Sequence, residues 1–238
     1  MGQSSLGTVT LSDGLVFDID KEFHAGTFNV AGVAVSGGAD STLAMYILKQ
    51  IVGAENVKAV SSTVSLNGVP RRVYEPIKAA EHATSLGITH SVYTNSYKMI
   101  AGSFDIFKLR RSLLNSDPDV DAFFIGETAR WYARGVTLTD EQLQTINQLK
   151  IFMPFRNLQK KHIIELYSFF EIEHILSSTR SCTVDSAGLD MHCGQCYCCL
   201  ERYRGFKYAQ KTDPTSYIME SGLIDQLVES PEQIVNIP

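Results

Sequence analysis

The chain has no run of 18 or more apolar residues, so no membrane-spanning helix is expected. No charged-then-apolar leader opens it. Met1-Gly2-Gln3-Ser4-Ser5-Leu6 puts leucine where a myristoylation signal needs Ser or Thr, and a cytoplasmic protein is expected. Basic residues are in the minority, 21 Lys+Arg against 26 Asp+Glu. A net charge of −5 gives no footprint for a polyanion, so nucleic acid is not an expected partner. Internal repeats, linkers and low-complexity stretches are missing too, and the 238 residues read as one domain able to bury a sizeable core. Cysteine is absent except between Cys182 and Cys199, where all 5 fall. That excludes a disulfide framework spread over the fold and points to metal or redox chemistry.

What is present begins with an apolar run, Phe28-Asn29-Val30-Ala31-Gly32-Val33-Ala34-Val35. It leads into Ser36-Gly37-Gly38-Ala39-Asp40-Ser41 and then a helical pattern. Strand, glycine-rich turn and helix in that order make a phosphate cradle. Gly37 and Gly38 allow backbone conformations barred to other residues and a close approach to a ligand. The unpaired N–H groups opening the helix favour an anion. Ser36, Ser41 and Thr42 add hydroxyls, and the Asp40 carboxylate can hold Mg²⁺ against phosphate oxygens. No Gly-Lys-Ser/Thr closes the turn, so it is not a Walker-type loop.

Around this unit, strand and helix patterns alternate. Residues 8–19 predict a hairpin about Asp13-Gly14. Leu43, Ala44, Ile47, Leu48 and Ile51 form one helix face, stopped at Gly53. Strands are expected at 28–35, 57–64, 91–94 and 121–126, and helices from Val73 to Leu86 and Lys160 to Phe170. The fold class is therefore α/β, a parallel sheet with helices on both faces. Its ligands bind beyond the carboxyl ends of strands, where the Ser36 turn lies.

Cys182, Cys193, Cys196 and Cys199 are spaced C-x10-C-x2-C-x2-C. A C-x2-C pair chelates one Zn²⁺ from a tight turn, and four thiolates complete a closed, structural site. Cys198 is then a spare thiol, although spacing alone does not separate it from Cys196. Neighbouring His192 could also ligate, an iron–sulfur cluster is the other metal option, and reduced core cysteines are the plain alternative.

The S-G-G-x-D-S turn resembles the PP-loop of the N-type ATP pyrophosphatases. Together with the cysteines it resembles the 7-cyano-7-deazaguanine synthase (QueC) family of queuosine biosynthesis. The likeness continues in Leu158-Gln159-Lys160-Lys161-His162-Ile163, in Thr179-Arg180-Ser181-Cys182 and in Cys193 through Arg202 to Phe206. It ends in Asp213-Pro214-Thr215-Ser216-Tyr217, with a looser match at Arg71-Arg72-Val73-Tyr74-Glu75. The resemblance implies a PP-loop core over 28–180, a zinc segment over 181–217, a hairpin-bearing extension over 1–27 and a tail over 218–238. It further implies an ATP-dependent carbon–nitrogen ligase that uses Mg²⁺, with a structural Zn²⁺. ATP would lie on Ser36, Gly37, Gly38, Asp40, Ser41 and Thr42, and Lys160 would neutralise charge on the departing phosphates. The acceptor would be a 7-deazaguanine carboxylate, converted with ammonia to the nitrile. A homodimer, with the apolar residues of the tail from Ile218 to Ile237 packed on a neighbour, is a further expectation.

Two departures stand out. Residues 1–27 precede the first core strand, where family members begin almost directly. After Gly126 the family's Tyr/Pro/Asp-rich segment is replaced by Glu127-Thr128-Ala129-Arg130-Trp131-Tyr132-Ala133-Arg134-Gly135. Arg130, Trp131 and Arg134 are the candidates for the heterocycle, by stacking and by pairing with its acid. An altered product, an amide or a conjugate, is in keeping with divergent relatives in phage DNA modification and antiphage systems. Competing classes are other PP-loop enzymes, tRNA thiolation or an amidating synthetase, and a zinc-stabilised nucleotide-binding module without turnover.

Overall fold

The computed structural model describes residues 4–66, 69–97, 106–129 and 140–229. Its N-terminal strands β1 (Thr8–Thr10) and β2 (Val16–Asp18) pair antiparallel, Val9 opposite Phe17, as the expected hairpin. Leu11 N–H donates to Leu15 O (2.8 Å) and Gly14 N–H to Leu11 O (2.9 Å), closing the turn about Asp13-Gly14. The short helix α1 (Ile19–Glu22) follows, capped by the Asp18 carboxylate, which accepts from Lys21 N–H. Val9, Phe17, Ile19 and Phe23 are buried in the main core, Phe17 beside Phe155 and Phe23 against Phe124. The extension is thus part of the hydrophobic core rather than an arm laid over it.

The main sheet comprises β3 (Ala31–Ala34), β4 (Val57–Leu66), β5 (Val69–Arg71), β6 (Thr89–Tyr97), β7 (Ala122–Ile125) and β8 (Ile151–Phe152). Five strands run parallel in the order β6-β4-β3-β7-β8, and β5 turns back antiparallel on the end of β4. Helices α2 (Ala39–Val52), α3 (Tyr74–Ser85), α4 (Ile106–Ser116), α5 (Asp140–Gln148) and α6 (Lys160–Phe169) alternate with these strands. Three more helices, α7 (Glu173–Ser178), α8 (Tyr197–Tyr208) and α9 (Ser221–Glu229), complete the C-terminal part.

Side-chain alternation along the strands shows why both sheet faces are covered. Ala31, Val33, Ala59 and Phe124 join the cluster with Leu43, Ile47, Ala79 and Ile163 of α2, α3 and α6. Val60 and Phe123, one residue out of phase, join Leu113 of α4 and Ile146 of α5 on the opposite face. At Gly32 an added Cβ would sit 2.5 Å from the Leu113 side chain and 2.8 Å from Phe123, so glycine lets α4 close on the sheet.

From β3 the chain moves outward through β4 to β6, then returns to the other side of β3 with β7 and β8. This reversal opens a crevice at the carboxyl ends of β3 and β7. The Ser36 turn leaves β3 there, and Gly126 leaves β7 there. Several sequence expectations are adjusted. The strand foreseen at 28–35 is limited to Ala31–Ala34. The strand at 91–94 instead runs from Thr89 to Tyr97, because β4 extends to Leu66 and pairs along its whole length. Cys196 caps α8 and Cys199 lies in its first turn.

Candidate active site and metal centre

Gly37 has φ +73°, and a Cβ there would stand 2.3 Å from Lys78 Cβ and 2.9 Å from Ala79 N, so only glycine fits between β3 and α3. Gly38 caps α2 in an extended conformation. The Ser36 N–H donates to Ser41 Oγ (3.2 Å), and Ser41 Oγ donates to Gly38 O (3.2 Å), which folds the turn over the helix start. Arg180 N–H donates to Gly37 O at 2.9 Å, pinning the turn from the far end of the chain. Gly126 closes the other side, since a Cβ there would lie 2.6 Å from Asp40 O. Thr42 is fully buried one step into the helix and its hydroxyl has no hydrogen-bond partner among the described residues.

Asp40, in the first turn of α2, faces Lys160, the first residue of α6. Lys160 Nζ donates to Asp40 Oδ1 at 2.6 Å and also to Oδ2. A second acid, Glu201 of α8, places Oε2 3.4 Å from the same Nζ, while its Oε1 accepts from Tyr197 OH at 2.8 Å. Lys160 and Glu201 are 8% and 7% exposed. Burial raises the Asp40 pKa, opposed by the Lys160 charge. Burial also works against the Lys160 charge, yet the two carboxylates outweigh it and hold its pKa above the ordinary lysine value. Two acids thus flank one ammonium beside the turn, and carboxylate oxygens are the donors a hard cation such as Mg²⁺ takes. Gly205 of α8 lies so close that a Cβ would be 2.6 Å from Lys160 Cγ. Tyr167 of α6 completes the frame by donating to Ala39 O at 2.8 Å.

The other motif residues meet around Arg202, which is 1% exposed. Its guanidinium donates to Thr179 Oγ1 (2.8 Å) and Leu176 O (3.1 Å), and its Nε lies 3.4 Å from Asp213 Oδ1. Tyr217 OH donates to Asp213 Oδ2 at 2.6 Å. Thr179 of T-x-S-C, the arginine after the cysteines and the two ends of D-P-T-x-Y are thus one buried network. Arg180 is used similarly, donating to Cys182 O, Val184 O (2.9 Å) and Gly188 O (3.1 Å) over the Tyr74 ring.

Cys182, Cys193, Cys196 and Cys199 are all buried, with their sulfurs within 4.8 Å of one another. Cys193 and Cys199 sulfurs are 3.9 Å apart, Cys196 and Cys199 3.4 Å. Four sulfurs about 2.3 Å from one metal would be separated by about 3.8 Å, so the group has the size of a tetrahedral thiolate site. Backbone N–H groups aim at the sulfurs: Cys196 N–H to Cys193 Sγ (3.2 Å), Cys193 N–H to Cys182 Sγ (3.4 Å). Such donors favour the charged thiolate that a metal ligand must be. The four residues can hold a metal ion. Cys198 is outside the group; burial, with the Cys196 and Glu201 charges, pushes it up to about 12. His192 is also outside. Its Nε2 accepts from Ser181 N–H at 3.0 Å, and burial, reinforced by Arg202 and Arg180, pushes it down to about 4.

Arg130, Trp131 and Arg134 lie outside the described residues. Sequence reasoning missed Glu201, since nothing in a charged residue two places after a cysteine says which lysine it will meet. Arg72 belongs to the looser match at 71–75. That residue has φ +51°, and its own N–H and that of Val73 are held by Asp185 at 2.8 and 2.9 Å. Its guanidinium reaches Glu75, whose carboxyl is pushed up by burial against the pull of Arg72 and Arg180.

Comparison with known proteins follows the motifs. Residues 114–210 match the model of the queuosine biosynthesis protein QueC. A 7-cyano-7-deazaguanine synthase of Methanococcus maripaludis is 37% identical over 79 residues, 32% of this chain and 34% of that protein. One from Methanocaldococcus jannaschii is 30% identical over 115 residues, 42% and 48% of the two chains. The resemblance read from the motifs is therefore borne out over this stretch, although the chain spans only about a third to a half of the curated relatives it matches. Among solved structures, the U34-tRNA thiolase NcsA of M. maripaludis with its [4Fe-4S] cluster aligns with a TM-score of 0.47 and 15% identity, over 92% of this chain and 77% of that one. The NH3-dependent NAD synthetase of Campylobacter jejuni aligns with a TM-score of 0.43 and 14% identity, over 92% and 93%.

Proposed function

We propose that the protein is an ATP-dependent ligase that adenylates a 7-deazaguanine carboxylate, or a close derivative. Adenylation releases pyrophosphate, and attack of ammonia on the adenylate gives the primary amide and AMP. Activation of the amide oxygen by a second ATP gives 7-cyano-7-deazaguanine, and another amine in place of ammonia gives a conjugate. A carboxylate oxygen is a poor leaving group, and adenylation makes it part of AMP. The observation that carries the reading is the meeting of Lys160 with Asp40 at the opening of the Ser36 turn, inside a chain whose residues 114–210 match QueC.

The residues divide the work. N–H groups at Gly37, Gly38 and the start of α2 face the phosphates, with the helix dipole behind them. Asp40 would hold Mg²⁺, which when bound would supply neutralisation of the phosphate charge. Lys160, released from Asp40 but kept near by Glu201, places its positive charge where pyrophosphate departs. Cys182, Cys193, Cys196 and Cys199 would hold a structural Zn²⁺, tying the start of α8 to the segment that carries Cys182 and Cys193. Arg130, Trp131 and Arg134 remain our candidates for the heterocycle.

Incubation with Mg²⁺, ATP, ammonia and the carboxylate, followed by nucleotide analysis and product mass, tests the proposal. AMP, pyrophosphate and a mass matching nitrile or amide are expected. ADP as the nucleotide product, or AMP no higher than without the carboxylate, would overturn the assignment.

A further inference from the structure

Helix α6 opens with three basic residues, Lys160, Lys161 and His162, and has no acid in its first turn. A helix N-terminus carries partial positive charge, so this order opposes helix initiation. The compensating carboxylates come from elsewhere in the chain. Lys160 takes Asp40 and Glu201. The other two take a single residue of the N-terminal hairpin turn: Asp13 Oδ2 lies 2.7 Å from Lys161 Nζ and 2.9 Å from His162 Nε2.

The contact with His162 has a direction. His162 Nδ1 accepts the Gln159 N–H at 3.1 Å, so Nε2 bears the hydrogen and donates it to Asp13. A continuous chain therefore runs from Asp13 through the imidazole to the backbone of the residue preceding Lys160. One turn further along α6, Ser12 N–H and Oγ donate to the two oxygens of Glu165, at 2.9 and 2.7 Å. The hairpin grips two successive turns of the helix. Its own base is fixed by buried Val9, Leu11 and Phe17. The Asp13 carboxyl is held below the usual carboxylate range by Lys161 and His162, so it is ionised while it does this.

We propose that Asp13 is a positioning residue for Lys160: the N-terminal hairpin sets the start of α6 and with it the reach of the lysine to the phosphate site. The proposal rests on the reading of Lys160 given above. The acid that faces the cationic first turn of α6 comes from the N-terminal hairpin.

The test uses the full chain with Asp13→Ala, Asp13→Asn and Asp13→Glu, plus Ser12→Ala as a milder loosening of the same turn. Nitrogen NMR of the His162 ring and of a labelled Lys160 ammonium reports the clasp without any need for turnover. In the wild type the Nε2–H tautomer and a slowly exchanging ammonium are expected. Asp13→Ala should give mixed tautomers and a broadened ammonium signal, with metal content unchanged. Turnover to AMP should fall about tenfold to a hundredfold, in line with an ångström-scale misplacement, while KM for ATP stays within about twofold. Asp13→Glu should recover part of the loss. A wild-type kcat together with an unchanged Lys160 signal in Asp13→Ala would overturn the proposal. If the wild type forms no AMP, the functional reading fails; the ammonium signal still decides whether Asp13 holds Lys160.

Discussion

Lys160 Nζ lies 2.6 Å from Asp40 Oδ1, joining the first turns of two helices across 120 positions of sequence. The two partners are not equivalent. Asp40→Asn leaves Lys160 with Glu201 as counter-ion, whereas Lys160→Met leaves the buried Glu201 and the partly buried Asp40 with no cation between them. Chemical denaturation should show a loss of about 3–5 kcal/mol for Lys160→Met and clearly less for Asp40→Asn. Asp40→Asn should nonetheless depress AMP formation by orders of magnitude, read by nucleotide chromatography. Equal stability losses in the two variants would show that Glu201 gives Lys160 no hold.

Glu201 itself gives the second prediction. Glu201→Gln keeps an acceptor for Tyr197 OH, and the fold should persist with an unchanged melting curve to within a few degrees. Its effect belongs in turnover, about tenfold or more, because Lys160 then has no anchor when Asp40 engages the metal. Steady-state rates of pyrophosphate release check this.

At Gly205 the helix and the lysine stem share one space. Gly205→Ala would push a methyl to 2.6 Å from Lys160 Cγ, part of the chain's stem rather than its flexible end. A destabilisation of about 1–3 kcal/mol is expected, with turnover reduced beyond what the stability loss explains. Gly222→Ala, where nothing lies within 4 Å of an added Cβ, is the matched control.

The metal prediction concerns which sulfurs serve. Cys193→Ser and Cys196→Ser should each lower metal content and stability together, because binding energy is folding energy in such a site. Cys198→Ser should leave metal content unchanged by elemental analysis. Loss of metal in Cys198→Ser but not in Cys196→Ser would reverse the assignment drawn from the clustering of sulfurs.

How much of this was legible beforehand depends on whether the signal is local. The β3–turn–α2 unit was, because an apolar run, two glycines and an amphipathic stretch are contiguous; so was the stop at Gly53. The cysteine spacing marked the four residues whose sulfurs converge. Strand β8 was invisible because two residues, Ile151 and Phe152, cannot display an alternation. The length of β6 was set by its partner β4, a property no window on residues 89–97 contains. Helix α8 was masked by its charges and by the cysteines that open it. Lys160-Lys161-His162 carried an unused clue, since three basic residues at a helix start imply acids brought from elsewhere, here Asp13, Asp40 and Glu201.

Helix α8 has Cys196 as its cap, carries Cys199 and Glu201 in its first two turns and Gly205 in its third. A rod so short does not bend in proportion to its load; it is docked or it is not. Incomplete metal loading should accordingly yield a mixture of two kinds of molecule rather than one uniformly sluggish kind. Specific activity would then rise in a straight line with the fraction of chains loaded, at constant KM, and a sample's apparent rate would be a head count of its intact copies.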